Sequence, residues 1–329
     1  MKQYRFILGV LLVALIGWAF PQLGAEGGPL RSEITTKIGV AVIFFIQGAN
    51  LPREQLSRGL RDWRLHLFCQ GWNFVLFPAI VTPIVWSLRH FLPRDLMVGF
   101  LFLAILPSTI ASAVSFVAVA EGNLSGAVFN TALSNVAGVF IVPAWTAMWI
   151  QVSGGPDLPV VDMILRVAMI ILAPLALGQI ARAHLTRFLS WLRSKSKAIT
   201  TTIIFYILYS AFSNSRMRNA WADLETNALL STIGLTVGLL AAIHWLVWRS
   251  SSWVGMEPDS RVAAFFCGSQ KTLASGIPLA SSIFVGPDAP ELAVALIPLM
   301  LYHPIQLLVA ASLAPSLARV SKGPREFSS

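Results

Sequence analysis

Apolar residues run along this chain in long stretches separated by short polar connectors. The stretches lack an alternation of period two, which argues against a β-barrel. Each approaches the twenty or so residues that a helix needs to cross a hydrocarbon layer. The pattern predicts ten spans, at roughly 6–23, 35–51, 66–88, 96–119, 123–150, 160–181, 198–214, 226–248, 262–285 and 291–314. Gly24 to Pro29, Ser153 to Pro159 and Gly286 to Pro290 read as turns, and the chain after Pro315 as a short, polar, mobile tail.

Composition agrees. Hydrophobic residues make up 56% of the 329 residues and charged residues 12%, whereas about a quarter are charged in soluble domains. This is the balance of a polytopic helical membrane protein surrounded by lipid. Cys69 and Cys267 both fall in apolar stretches and form no metal or disulfide framework. The net charge of +9 lies between apolar runs, so it points to membrane topology and away from nucleic acid. With the N-terminus inside, Lys2, Arg5, Arg53, Arg58, Arg61, Arg64, Arg182, Arg187, Arg193, Lys195, Lys197, Arg249, Arg261, Arg319, Lys322 and Arg325 share one side. Arg31, Lys37, Arg89, Arg94, Arg216 and Arg218 share the other. The positive-inside rule then places both termini in the cytoplasm of an inner-membrane protein. Lys2 and Arg5 ahead of an apolar run also resemble the start of a signal peptide, but no small-x-small cleavage site follows.

Two short segments repeat, half the chain apart, at the centres of spans 4 and 9. They are Ser108-Thr109-Ile110-Ala111-Ser112 and Lys271-Thr272-Leu273-Ala274-Ser275. Pro107 precedes the first; Gly268 and Gly276 flank the second. Polar interruptions at matching places in two halves mark the binding site of a transporter. The spans divide into a first five-helix repeat, 1–151, an inverted second repeat, 152–315, and a cytoplasmic tail, 316–329. Pro107 removes a backbone donor, Gly268 permits unwinding, and Ser269 and Thr272 can cap a restarted half-helix.

Every Asp and Glu falls near a span end or in a loop, so the acidic coupling site of many ion-driven carriers is missing. Lys271 alone among the charged residues falls near the midplane, where an isolated ammonium is expensive unless solvated or paired. Three readings are open. It contacts an anionic solute, it takes the place of a coupling cation, or it caps backbone carbonyls of a broken helix. Asn73, Asn130, Thr131, Asn135, His303 and Gln306 add polar groups at membrane depth, each also suited to bonding between helices. Small residues such as Ala111, Ser112, Ala274 and Ser275 would equally serve close packing. The scattered histidines form neither a zinc site nor a catalytic triad.

Several stretches carry a resemblance to a known family. They are Phe44-Phe45-Ile46-Gln47-Gly48-Ala49-Asn50-Leu51, Trp63-Arg64-Leu65-His66-Leu67, Phe74-Val75-Leu76-Phe77-Pro78, Leu106-Pro107-Ser108-Thr109, Glu121-Gly122-Asn123, Phe266 to Ala274 and His303-Pro304-Ile305-Gln306. Together they resemble the bile acid:sodium symporter superfamily, in the branch that holds the bacterial YfeH-like proteins and solute carrier family 10 member 7. The resemblance implies an all-α membrane fold of ten helices in two inverted repeats. Spans 1, 2, 6 and 7 would form a panel and spans 3, 4, 5, 8, 9 and 10 a core, in which discontinuous helices 4 and 9 cross. Sodium would bind behind the crossing and substrate between panel and core.

The implied sodium site is degenerate here. Its Ser-Asn pair falls on Ser112 and Ala113, its Ser and Thr of span 5 on Ala127 and Thr131, and its acidic residue on Phe266. Gln270 is retained, the next Asn is replaced by Lys271, and Asn73 takes the place of a Gln. At about 5 Å and an effective dielectric near 20, an ammonium repels a cation by about 3 kcal/mol. That weakens binding roughly a hundredfold. Ser112, Thr131 and Gln270 therefore make no firm metal site, and no cofactor is expected.

The sequence supports a secondary transporter of a small organic solute, expected to be anionic, working by alternating access. Ser108, Thr109, Ser112, Thr131, Ser269, Gln270, Lys271 and Thr272 would form its polar centre, supported by Asn73, Asn130, His303 and Gln306. An alternative is a membrane regulatory protein on the same fold that affects ion homeostasis. An enzyme is not expected: its nucleophile and base would have to be found in Lys271 with Ser269 or Ser275.

Overall fold

A computed structural model describes residues 2–50, 62–152, 160–184, 186–221, 224–286 and 289–321. Among them the regular structure is entirely helical. In chain order the helices are α1 (Lys2–Ala19), α2 (Ser32–Asn50), α3 (Trp63–Ser87), α4 (Arg94–Ile105), α5 (Ile110–Val119) and α6 (Leu124–Val152). There follow α7 (Val160–His184), α8 (Thr186–Met217), α9 (Thr226–Ser251), α10 (Pro258–Ser269), α11 (Gly276–Ile283) and α12 (Ile297–Ser321). Helix falls in each apolar stretch read from the sequence. By length and apolarity alone, α2, α3, α6, α9 and the segment Leu292–Ser321 are able to cross a membrane, and α4 with α5 makes one more, bent by 51°.

The local chemistry accounts for the helix ends and interruptions. The Asp62 carboxylate caps α3 by accepting from the Leu65 N–H at 3.2 Å. Within α3, residues Trp72–Leu76 widen into a π-helical turn, a bulge that re-aims the groups around it. Prolines 143, 304 and 315 lie inside helices. The last of these corrects the sequence reading: α12 continues through Pro315 to Ser321. Residues 316–321 of the expected tail are therefore helical, and residues 322–329 lie outside the described residues, as do 153–159.

One group of helices is built on backbone contact. A Cβ at Gly48 on α2 would lie 2.0 Å from the Leu175 carbonyl oxygen of α7, and one at Gly178 on α7 would lie 2.2 Å from the Phe45 oxygen of α2. Only glycine permits that approach. Helix α8 packs on α1 and α2 to complete this group. In the second group α10 is central, touching α3, α5, α6, α9 and α12. Phe77, Phe100, Phe102, Phe266 and Tyr302 are fully buried there. The two groups meet where α6 packs on α7 and where α11 and the short turn Leu292–Ala295 reach α8.

Candidate functional site

Two helix interruptions lie side by side in the second group. Helix α4 ends at Ile105, because Leu106 and Thr109 are extended and Pro107 between them cannot donate. The chain resumes as α5 at Ile110. Helix α10 ends at Ser269, Gln270 is extended, and α11 starts at Gly276. Buried backbone groups need partners, and here each break serves the other. The Thr272 N–H donates to the Pro107 carbonyl at 3.0 Å. Asn135 Nδ2 on α6 donates to the Ser108 carbonyl at 2.8 Å, and the Ser108 N–H donates to Ser134 Oγ at 3.0 Å. On the other break, Asn73 Nδ2 donates to the Cys267 carbonyl at 3.0 Å and Tyr302 Oη to that of Ser269 at 3.1 Å. Gln306 grips the Lys271 backbone at both its polar groups: Oε1 accepts from its N–H at 2.8 Å and Nε2 donates to its carbonyl at 2.7 Å. His303 Nδ1 lies 3.2 Å from the same carbonyl.

Lys271 crosses between the breaks. Its side chain is fully buried, and Nζ donates to the carbonyls of Asn73 at 3.0 Å, Ala104 at 2.8 Å and Leu106 at 2.8 Å. The Phe77 ring covers the ammonium, with its centroid 4.3 Å away. Local structure frees each acceptor. Ala104 and Leu106 stand at the broken end of α4. In the π turn the Phe77 N–H reaches back five residues to the Trp72 carbonyl. In that register the donor to Asn73 would be residue 78, a proline with no N–H.

A sequence profile of the SBF-like CPA transporter family matches residues 4–319. The chain belongs to this family. It is 31% identical to YfeH of Escherichia coli (strain K12), covering 95% of this chain and 94% of that one. It is 30% identical to sodium/bile acid cotransporter 7 of Danio rerio, over 96% and 93% of the two chains, and 28% identical to that of Mus musculus, over 96% and 93%. As a member of a transporter family with several apolar helices, the chain is a membrane protein.

Within this family member the residues singled out from sequence separate into three places. Asn73, Ser108, Thr109, Gln270, Lys271, Thr272, His303 and Gln306 meet at or beside the breaks. Ser112 joins them at the edge: its hydroxyl donates to Gln270 Oε1 at 3.2 Å and Thr109 Oγ1 at 2.9 Å. Thr131 is buried with its hydroxyl on the Val128 carbonyl of its own helix, at 3.1 Å. Asn130 belongs to a separate cluster, where Nδ2 lies 3.0 Å from His66 Nδ1 and the Gln70 amide donates to its carbonyl at 3.2 Å.

Two readings of local structure are corrected. Gly268 does not unwind span 9, since α10 runs through it to Ser269. Its hydrogen faces Trp72, whose Cβ would lie 3.4 Å from an added Cβ. Ser269 does not cap the restarted helix; its hydroxyl donates back to the Phe265 carbonyl at 2.7 Å. Thr272 does support the restart, accepting from the Ser275 N–H at 3.3 Å. Sequence reasoning missed Tyr302 and Phe77, and treated Asn135 only as one polar group among several. A tyrosine deep in an apolar stretch needs a partner for its hydroxyl, and that was the signal available for Tyr302.

A cavity of about 140 Å³ opens between the two helix groups, away from the breaks. Lys37, Ser210, Asn214 and Arg218 line it from one group, and Ser281, Phe284 and Glu291 from the other. Arg218 bridges the groups at its rim, 3.2 Å from Glu26 and 3.6 Å from Glu291. Burial pushes the Glu291 carboxyl above its ordinary range; Arg218 opposes this, and Asp95 and Glu26 add to it.

Proposed function

We propose that this protein is a secondary transporter that moves a small organic solute by alternating access. In this reading the chain has ten spans in two inverted five-helix repeats, α1, α2, α7 and α8 form a panel, the remaining helices form a core, and the two bodies rock about the paired breaks. The observation that carries it is the pair of breaks braced against each other inside the core; a separate cavity is shared by the two bodies. Irregular backbone at membrane depth is tolerated only where protein or a cavity surrounds it. The distribution of Lys and Arg supports an inner-membrane protein with both termini in the cytoplasm.

The expectation of an anionic solute loses its main support, because the three donors of Lys271 are all engaged with carbonyls. Lys37 and Arg218 remain in the cavity wall, balanced by Glu26, Glu33 and Glu291. This lining suits a small polar molecule that carries both charge and hydrogen-bonding groups. The test is a thermal-shift screen of purified protein against organic anions, zwitterions and a bile acid. A ligand that raises the melting temperature in proportion to log concentration is expected; loss of that shift in Asn214→Leu would place it in the cavity. No shift from any class would count against transport.

The complete burial of Lys271 favours a second reading, a membrane regulatory protein with a fixed crossing. Disulfide cross-linking of cysteines placed at Thr36 and Ser281 separates the two. A transporter loses uptake when panel and core are joined, whereas a fixed regulator is unaffected.

A further inference from the structure

We propose that the carbonyls of Asn73, Ala104 and Leu106 form a monovalent-cation site that carries its own cation, the ammonium of Lys271. The transporter reading supplies its role in a cycle; the occupancy itself stands on geometry.

Three carbonyl oxygens surround Nζ at 3.0, 2.8 and 2.8 Å. A neutral amine has two N–H groups and an ammonium three, so three acceptors call for the charged form. The remaining side is closed by the face of Phe77 at 4.3 Å, a surface that attracts cations. Among the described residues Lys271 makes no ion pair. Its charge is therefore balanced by carbonyl dipoles, two of them at the negative end of α4. Unwound carbonyls are what membrane transporters use to hold a desolvated cation.

The cage does not depend on Lys271 for its existence. Pro78 frees the Asn73 carbonyl through the π register, and the extended stretch from Leu106 frees the other two. Lys271 arrives from the opposite break, its peptide clamped by Gln306. The cation is thus tied by covalent bonds to span 9 while it holds spans 3 and 4. It cannot dissociate, so the site needs no free ion and offers sodium no place. Ser112 donates to Gln270, and Thr131 donates to the carbonyl of Val128 on its own helix. The protein would therefore run without the binding and release of a free cation at the crossing.

Removing the side chain beyond Cβ empties a channel shaped for three methylenes and an ammonium, the form of n-propylammonium. The test uses purified full-length protein in detergent, melted in choline, sodium, potassium and n-propylammonium chloride at equal ionic strength. The wild-type protein is expected to melt at the same temperature in choline and sodium. Lys271→Ala should melt lower in choline and recover with n-propylammonium and with an alkali cation, increasingly with log concentration as mass action requires. Lys271→Met, which fills the channel without charge, should melt low and respond to none of them. A wild-type melting temperature that rises with sodium over choline would overturn the proposal. So would Lys271→Ala protein that no cation recovers, folded or not, or Lys271→Met protein as stable as wild type. No solute enters these measurements, so cation rescue with an absent solute shift would sink the transport reading alone.

Discussion

The amide of Gln306 makes two short hydrogen bonds to the backbone of one residue, Lys271, in a stretch with no helix to satisfy it. Gln306→Leu keeps the volume but leaves one buried N–H and one buried carbonyl short of partners. Each orphaned group costs about 1–3 kcal/mol, so the variant should lose about 2–6 kcal/mol, read as a lower denaturation midpoint in detergent. Because His303 reaches only the carbonyl, at 3.2 Å, the N–H stays unpaired, and a loss under about 1 kcal/mol would contradict the clamp. Gln306 was visible in the sequence because an amide at membrane depth is rare and needs a partner. Its actual partner was not visible, because a peptide bond 35 residues away becomes available only once span 9 unwinds. Tyr302 and the Asn73 carbonyl escaped for the same reason: the groups they bind exist only in the folded crossing.

Among the elements, α3 sets the shape of the cation cage through its π turn. Pro78→Ala returns an N–H to the register and lets the Asn73 carbonyl bond within its own helix, in competition with Lys271. The expected result is a straighter α3 and faster amide exchange at residues 270–272, measured by hydrogen–deuterium exchange; unchanged protection there would contradict this account of the turn. Helix contacts give a sharper contrast. Gly48→Ala places a methyl 2.0 Å from the Leu175 oxygen, and separating two backbones to make room costs about 1–3 kcal/mol. Gly234→Ala on α9 meets nothing within 4 Å and should be neutral or more stable by up to about 1 kcal/mol. Thermal melting of the two variants checks both signs. The helices themselves were legible because apolar length is dictated by the bilayer. The break in span 4 was legible from Pro107. The break in span 9 was placed correctly, but from Gly268, which stays helical beside Trp72; the polar run Gln270-Lys271-Thr272 is what the chain actually unwinds.

At the scale of the molecule, two bodies meet at a cavity rimmed by Arg218, Glu26 and Glu291. Because the Glu291 carboxyl titrates above its ordinary range, the folded protein takes up a proton there before the unfolded chain does. Stability from this group is greatest below the ordinary carboxylate range and declines as pH rises towards the raised value. Protonation also removes its charge from Arg218, which loosens the bridge between the bodies in mild acid. Glu291→Gln should therefore match wild type in acid, equal or exceed it in stability at neutral pH, and lose the intervening pH dependence of the melting temperature. A variant less stable than wild type at neutral pH would reverse the sign argued here. Alternating access requires relative motion of panel and core about the braced crossing. Spin labels at Thr36 on α2 and Ser281 on α11, both beside the cavity, measure that motion directly by pulsed dipolar spectroscopy in lipid. Two distance populations that exchange weight when a binding solute from the thermal-shift screen is added are the expected result; one narrow population, unchanged by every solute, would contradict it.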